Sequence, residues 1–336
     1  MEVIHDRIPE KIYISSFLKK ILDNKNFCIL DIETTGLNKK NNPIILIGLL
    51  YEENSQINIM QFFADHIKEE KKLLESFKKV ASKFNYFITY NGDTFDIPFI
   101  NFRLNHNSID YNINSETTLD ILKVVRKHKD LLELPNCKLK TVEKTLGINR
   151  EDKISGKESI KLYYSYIKQK DLNIKKVILK HNYDDIYYLS KLLSIYDVIN
   201  NLATININTN LKGHNINIKF DLNSLNINGD ILTILGKSSI LNIPDQIYYG
   251  ENYNFGWKCS TGNFKLNLQV YEGMLSNKKK CIYFDKNECT LNIKTVDKTQ
   301  YRVPENIILI KENKKLIKKN FEPLLKEIIK NIFSII

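Results

Sequence analysis

The sequence predicts an α/β domain over residues 1–200 and a smaller, mainly-β domain over residues 201–336 that ends in a helix. Three patterns support this fold class. Up to Asn200, apolar strand-like runs alternate with longer segments of helical periodicity, which is typical of helices packed against one sheet. Beyond Asn200, apolar and polar residues alternate one by one, which predicts half-buried antiparallel strands. The end of the chain carries apolar residues at helical spacing.

The first domain alternates between the two periodicities along its whole length. Strands are predicted at 27–32, 44–51, 56–63 and 86–90. Helices are predicted at 67–84, 95–104, 117–128, 139–147, 158–169 and 174–199. The last of these segments contains neither proline nor glycine, so one uninterrupted helix is expected there.

In the second domain, short alternating runs predict a small antiparallel β structure over residues 205–303. Asn228-Gly229 lies between two such runs and is a good signal for a hairpin turn. A final helix is predicted to begin near Pro323, since proline is tolerated in a first helical turn. Its apolar stripe is expected to pack on its own domain and consists of Leu324, Leu325, Ile328, Ile329, Ile332 and Phe333.

Asp31 and Glu33 lie at the end of the first apolar run, just before a loop. Strand side chains repeat every two residues, so both carboxylates share one face of the strand. A polar strand end that faces water would show the same pattern. Asp96 follows the turn at Asn91-Gly92 and opens a helical segment, where it could cap the helix or bind a cation.

A third acidic stretch lies in the long helical segment 174–199. On a helical wheel Asp185 falls among the apolar residues of one side, whereas Asp184 falls at the flank. An inward carboxylate needs a partner, so Asp185 is the expected ligand and Asp184 is expected to be solvated. His181 lies one turn before Asp185 on the same side, although an inward histidine can also be an ordinary core residue.

Together, these acids match the requirements of a two-metal phosphodiester-cleaving site. Mg²⁺ and Mn²⁺ bind carboxylate oxygens, and two such ions about 4 Å apart can activate water and stabilise the leaving oxygen. The three stretches resemble the Exo I, Exo II and Exo III motifs of the DEDD exonuclease superfamily, which has a ribonuclease H-like fold. Leu139 to Glu143, Leu146 to Arg150 and His181 to Ile186 are similar to the YprB-type ribonuclease H-like family. The likeness covers residues 25–200.

This resemblance implies a 3′→5′ exonuclease site that holds two Mg²⁺ or Mn²⁺ ions. Asp31 is expected to bridge the ions, Glu33 and Asp185 to serve the ion that activates water, and Asp96 to serve the ion nearer the leaving oxygen. His181 is expected to be the general base, with three residues between it and Asp185, whereas four are usual for the superfamily's histidine. The motif residues expected to contact nucleic acid are Thr34, Asn91 and Phe95.

Composition agrees with a nucleic-acid partner. The net charge is +11, and residues 201–336 contain 19 Lys and Arg against 12 Asp and Glu. A basic surface suits phosphate binding, although lysine-rich surfaces are equally typical of solvated faces. The longest apolar stretch, 44–51, is far shorter than the ~20 residues of a spanning helix, and the first residues do not form a signal peptide. We therefore expect a cytoplasmic protein without membrane association.

Three functions are consistent with these patterns. The leading interpretation is a two-metal-dependent 3′→5′ exonuclease acting on DNA or RNA, with a single-stranded 3′ end as the expected substrate. The alternative is a nucleic-acid-binding or scaffold protein that retains the fold without cutting, because fold alone does not establish activity. A weaker alternative is a structure-specific endonuclease that uses the same metals.

Overall fold

A computed structural model describes residues 1–23, 25–150, 154–211, 213–313 and 315–335. Contacts divide the chain into two compact units, Met1–Ile199 and Asn200–Ile336. The first unit is built on one six-stranded mixed sheet. Its strands are β1 (Glu2–Ile8), β2 (Phe27–Thr34), β3 (Ile44–Glu53), β4 (Gln56–Phe63), β5 (Tyr86–Thr89) and β6 (Thr118–Asp120).

The spatial order of this sheet is β1-β4-β3-β2-β5-β6. Strands β1, β4, β3 and β2 pair antiparallel, whereas β2, β5 and β6 pair parallel. The central strand β2 therefore lies where antiparallel pairing changes to parallel pairing. The helices that precede β7 are α1 (Ser16–Leu22), α2 (Glu70–Ala81), α3 (Asp96–His106), α4 (Ile121–Lys127), α5 (Leu139–Thr145), α6 (Gly156–Gln169), α7 (Leu172–Leu192) and α8 (Ile195–Leu202).

Helices cover both faces of this sheet. On one face, Ile32 of β2 belongs to a buried cluster with Phe77 of α2 and Phe99 of α3. On the other face, Phe63 of β4 packs with Tyr163 of α6. Because side chains alternate along β2, the neighbours of Ile32 point toward the second face. The predicted α/β architecture is confirmed.

The first unit also departs from the sequence prediction. β1 and α1 were not predicted, and the segment predicted as one helix over 117–128 contains the strand β6 before α4 begins. Asp120 ends β6 and caps α4, because its carboxylate accepts a hydrogen bond from the N–H of Leu122 at 3.0 Å. The helix predicted over 174–199 is interrupted after Leu192. There the Ser194 hydroxyl donates to the carbonyl of Lys191 at 2.9 Å, a local bond that competes with helical pairing.

The second unit contains two antiparallel sheets and one helix. Its strands are β7 (Thr204–Leu211), β8 (His214–Asn228), β9 (Ile231–Ser238), β10 (Gln246–Tyr249), β11 (Tyr253–Lys258), β12 (Asn263–Gln269), β13 (Tyr271–Met274), β14 (Lys280–Asp285), β15 (Ile307–Glu312) and β16 (Lys315–Leu316). The six-stranded sheet has the order β10-β11-β12-β9-β8-β7, and the four-stranded sheet has the order β13-β14-β15-β16. The terminal helix is α9 (Lys318–Ile335).

Helix α9 lies in the core of the second unit. All six residues of its predicted apolar stripe are buried in one cluster with the strands, and the ring of Phe333 stacks on Trp257 with 5.5 Å between centroids. This confirms that the helix packs on its own domain. The helix begins at Lys318 rather than near Pro323, so the proline lies in its second turn.

The β region also extends beyond its predicted end at 303, since β15 and β16 follow. The hairpin at Asn228 is confirmed, with Asn228 opposite Ile231 and Gly229 at φ +59°. Residues 291–295 alternate as predicted and bury Leu291, Ile293 and Thr295, yet they do not form a strand. Instead, the N–H of Thr295 donates to the carboxylate of Glu327 on α9 at 2.9 Å. In the described parts of the chain, no helix is both long and apolar enough to cross a membrane.

Candidate active site

Asp31 and Glu33 lie near the end of β2 and point to the face covered by α6 and α7. Asp31 lies opposite Gly48 of the neighbouring strand β3, and its Oδ2 accepts a hydrogen bond from Nδ2 of Asn182 at 2.9 Å. Glu33 is buried, which raises the pKa of its carboxyl, and the hydroxyl of Ser159 on α6 partly opposes this rise. The Asp-x-Glu spacing thus places both carboxylates on the same face of a central strand.

Asp96 is brought to β2 by the start of α3. Pairing between β2 and β5 ends at Ile29 and Ile88, beyond which the two strands no longer share hydrogen bonds. Just beyond this pairing, Oδ1 of Asp96 accepts a hydrogen bond from the backbone N–H of Ile32 on β2 at 3.2 Å. This side chain links α3 to the strand that carries Asp31.

Helix α7 contributes His181 and Asp185. Nε2 of His181 lies 3.5 Å from Oε1 of Glu33 and 3.9 Å from Oδ2 of Asp185, and the ring is buried. The expectation that Asp184 is solvated is wrong. Its side chain is only 3% exposed, and both its oxygens lie 2.9 Å from Nζ of Lys180. Asp184 pairs with Lys180, one turn back on its own helix, whereas Asp185 lies close enough to the acids of β2 to raise their pKa values.

Burial and the neighbouring negative charges raise the pKa values of Asp31, Glu33 and Asp96. Burial raises the pKa of Asp31 well above its usual range, and the charges of Asp185, Asp96 and Glu33 raise it further. Burial raises the pKa of Glu33 to about 7, with the His181 charge acting in the opposite direction. Burial also raises the pKa of Asp96 to about 7 against the hydrogen bond from Ile32. The acids are therefore electrostatic neighbours in a region where negative charge is unfavourable.

This donor set fits a divalent metal. Carboxylate oxygens are the ligands that Mg²⁺ and Mn²⁺ prefer, and a dication would relieve the repulsion that raises these pKa values. As the side chains stand, no three His, Cys, Asp or Glu residues of the described ranges form a compact metal-binding group. Asp31 is turned to Asn182, and Asp185 is turned to a cationic side chain.

That cation is Arg150, which belongs to one of the stretches resembling the YprB-type family but was assigned no role from the sequence. Its Nη1 lies 2.5 Å from Oδ1 of Asp185, and its Nε lies 3.1 Å from Oε2 of Glu143 on α5. The side chains of Arg150 and Glu143 are 5% and 1% exposed. The guanidinium therefore stands beside Asp185 as a buried counter-charge to the acids.

Two further residues, which were not identified from the sequence, hold Asp31 in position. Nε2 of Gln61 donates to Oδ1 of Asn182 at 2.9 Å and to the carbonyl of Leu179 at 2.8 Å, which leaves the Asn182 amide nitrogen pointing at Asp31. Asn182 is fully buried and Gln61 is 3% exposed. The available signal was a glutamine between Met60 and Phe62 in strand β4, because a buried glutamine needs a defined partner.

Gly48 allows this approach of α7 to the sheet. A Cβ built on Gly48 would lie 2.3 Å from Oδ1 of Asn182, which is closer than real contacts allow. We expect Gly48→Ala to displace Asn182, to destabilise the protein by about 1–3 kcal/mol and to weaken Mn²⁺ binding. Gly156→Ala is the matched control, since nothing lies within 4 Å of its Cβ position. Urea denaturation and Mn²⁺ titration check this; equal behaviour of the two variants would contradict it.

The three predicted nucleic-acid contacts have different surroundings. Thr34 is buried, and its hydroxyl donates to the carbonyl of Gly36 at 2.7 Å. Asn91 has φ +71°, and its N–H donates to Oδ1 of Asp120 at 2.8 Å. The half-buried ring of Phe95 lies 5.3 Å from that of Phe99. Thr34 and Asn91 hold their loops through these bonds, and their contact with nucleic acid stays a prediction.

Comparisons with known proteins agree with the motifs. A family model described as the RNase H superfamily matches residues 28–196. Protein YprB of Bacillus subtilis (strain 168) is 30% identical over 178 residues, which are 51% of this chain and 41% of YprB. The chain thus spans less than half the length of that relative.

Two solved structures are also similar to this chain. The family B DNA polymerase of Pyrobaculum calidifontis has a TM-score of 0.41 at 13% identity, covering 53% of this chain and 25% of the polymerase. The ExoI/SSB-Ct complex has a TM-score of 0.33 at 15% identity, covering 63% of this chain and 55% of the matched chain.

Proposed function

Since this chain belongs to the RNase H superfamily, we propose that it is a metal-dependent nuclease that removes nucleotides from the 3′ end of DNA or RNA. The identity with YprB confirms the resemblance to the YprB type. A cytoplasmic location is part of the proposal. Asp31, Glu33, Asp96 and Asp185 would hold two divalent ions.

One observation carries the proposal. Acids from β2, α3 and α7 come together in one region, where burial and the charge of Asp185 raise the pKa values of Asp31, Glu33 and Asp96. A fold gains no stability from burying like charges together. Such a cluster is typical of sites where perturbed carboxylates have a chemical role.

Each residue around the acids would have its own role in hydrolysis. When bound, the metal ions would supply Lewis-acid stabilisation of the phosphate and a more acidic attacking water. His181 would accept a proton from the attacking water, because its Nε2 lies 3.5 and 3.9 Å from the Glu33 and Asp185 carboxylates, which would hold the ions. Asn182 would hold Asp31 in position through the bond from its amide. Arg150 would neutralise Asp185 and, with the substrate bound, could turn to a phosphate oxygen.

The non-catalytic alternative has one observation in its favour. Asp185 is paired with Arg150, so one of the four acids already has a cationic partner that belongs to the protein. A binding protein that retained the fold would keep this pair permanently.

The test is digestion of single-stranded DNA and RNA labelled at the 5′ or the 3′ end, with Mn²⁺, with Mg²⁺ and with EDTA. We expect a metal-dependent ladder that shortens from the 3′ end and disappears in Asp31→Asn. Circular single-stranded DNA has no end and is expected to stay intact. Cleavage of the circle would favour the endonuclease, and binding without cleavage of any substrate would favour the non-catalytic protein. Cutting that survives Asp31→Asn would contradict the proposed site.

A further inference from the structure

The six-stranded sheet of the second unit has one buried and one exposed face. Along β8, Ile216, Ile218 and Phe220 are buried, whereas the residues between them are exposed. The buried side chains share a core with α9. The opposite side, which we call the outer sheet face, carries Lys219, Lys237, Lys258, Lys265, Ile247 and Tyr249.

Strand register places the lysines close together. Lys219 on β8 is directly opposite Lys237 on β9, Lys237 is opposite Asn263 on β12, and Asn263 is opposite Lys258 on β11. This row crosses four strands at about 4.8 Å each, and Lys265 lies two residues along from Asn263 in the next row. All four lysines are exposed.

The arrangement is not explained by the stability of the sheet. Like charges that lie directly opposite one another in an antiparallel strand pair destabilise the sheet. Lys219 and Lys237 form such a pair. Within the described strand residues of this face, Asp221 is the one acid that could compensate them. The excess positive charge therefore suits an anionic partner from outside the sheet.

The row of Lys265 and the row beyond it carry apolar side chains that the fold does not bury. Tyr249 is 77% exposed and Ile247 is 66% exposed, on the edge strand β10. Ile247 is opposite Gly256, where nothing lies within 4 Å of the Cβ position, and Tyr249 is opposite Asn254. An accessible ring beside lysines and amides offers base stacking, phosphate contacts and hydrogen bonds to base edges.

We propose that the outer sheet face binds single-stranded nucleic acid, with the lysines on phosphates and Tyr249 against a base. A single strand fits better than a duplex, because only unpaired bases can present a face to a flat aromatic surface. This inference deepens the proposed function and rests on it for the class of ligand. It assigns a binding role to the β domain, which the family match over residues 28–196 does not reach.

The test measures binding by the full chain in the Asp31→Asn background with EDTA, so that cleavage does not interfere. The probes are fluorescent 20-nucleotide dT and U oligomers, titrated between 50 and 200 mM salt. The variant is Lys237→Gln/Lys258→Gln/Lys265→Gln, which leaves Lys219 and its bond to Asn200 intact. We expect affinity at 100 mM salt to fall about tenfold or more, and the slope of log affinity against log salt to lose about 2, since each phosphate contact on a single strand contributes about 0.7.

The matched control removes three exposed lysines from α2 in the first unit, as Lys71→Gln/Lys72→Gln/Lys79→Gln. It changes net charge by the same amount, and its slope is expected to stay close to that of the parent. Tyr249→Ser is expected to lower affinity about fivefold or more without changing the slope. Equal slopes for the two triple variants would overturn the inference.

Two further probes identify the partner and separate the inference from the proposed nuclease. Equal binding of a duplex, or of poly-glutamate in a manner that depends on the same lysines, would overturn the single-strand assignment. The triple lysine variant of the sheet is also made in the wild-type background. If it cleaves as the wild type does, and if the slope of log affinity against log salt is unchanged, this inference alone is overturned. Sheet-dependent binding without cleavage by the wild type would remove the nuclease and retain the binding face.

Discussion

Asp185→Asn is expected to lower the single-turnover rate more than about 10³-fold, whereas Asp184→Asn leaves it within about threefold. A metal site supplies several kcal/mol of transition-state stabilisation, and each 1.4 kcal/mol is about tenfold in rate. Asp185 raises the pKa values of Asp31, Glu33 and Asp96, so its carboxylate faces the site. Asp184 binds Lys180 instead.

The two variants form a matched pair, because they are adjacent aspartates on one helix and asparagine has nearly the same shape. Asp184→Asn is expected to cost under about 1 kcal/mol of stability, since Lys180 is 59% exposed and solvent weakens that ion pair. Asp185→Asn removes one carboxylate partner of the buried Arg150 and is expected to lower the Tm as well. Rates are therefore compared well below both melting temperatures. Similar rates for both variants would show that Asp185 is not a ligand.

The acids of the site could be located from the sequence because each lies at a boundary with a strong local pattern. Asp31 and Glu33 end a continuous apolar run, and β2 covers Phe27–Thr34 as the periodicity predicted within two residues. Asp96 begins α3, close to its predicted start. Such boundaries are set by neighbours along the chain, so they can be read without knowledge of the fold.

The supporting residues could not be located in this way, because their roles depend on contacts between distant segments. Gln61 and Asn182 are 121 positions apart, and Arg150 and Asp185 are 35 apart. Gly48 looks like any glycine in a strand until α7 is placed over it. The helical wheel also failed for Asp184, because it describes direction from the axis but not how closely neighbouring elements pack on each side.

Irregular segments failed for a related reason. The alternation at residues 291–295 is typical of a strand, yet the backbone N–H groups of Lys294 and Thr295 bond to the Glu327 carboxylate. Burial of every second side chain follows from an extended backbone, whether or not that backbone joins a sheet. Periodicity alone therefore identifies extended segments but does not choose their hydrogen-bond partners.

His181→Gln is expected to lower the single-turnover rate by about 10²–10⁴-fold, which is the usual contribution of a general base. Glutamine keeps hydrogen-bonding groups at this position but cannot accept the proton of the attacking water. The control is His128→Gln, because Nδ1 of the His128 ring lies 2.9 Å from the carbonyl oxygen of Val124, one turn back along the chain. Its rate is expected to stay close to that of the wild type.

The affinity for Mn²⁺ shows whether His181 acts as a general base or as a metal ligand. The imidazole lies 3.5 Å from Glu33 and 3.9 Å from Asp185, so it could serve the water or bind an ion directly. We expect calorimetry to give His181→Gln an Mn²⁺ affinity within about threefold of the wild type, while Asp185→Asn loses about tenfold or more. A weakened affinity equal to that of Asp185→Asn would make His181 a ligand. A rate loss below about fivefold would show that proton removal does not depend on this side chain, despite its position between the two acids.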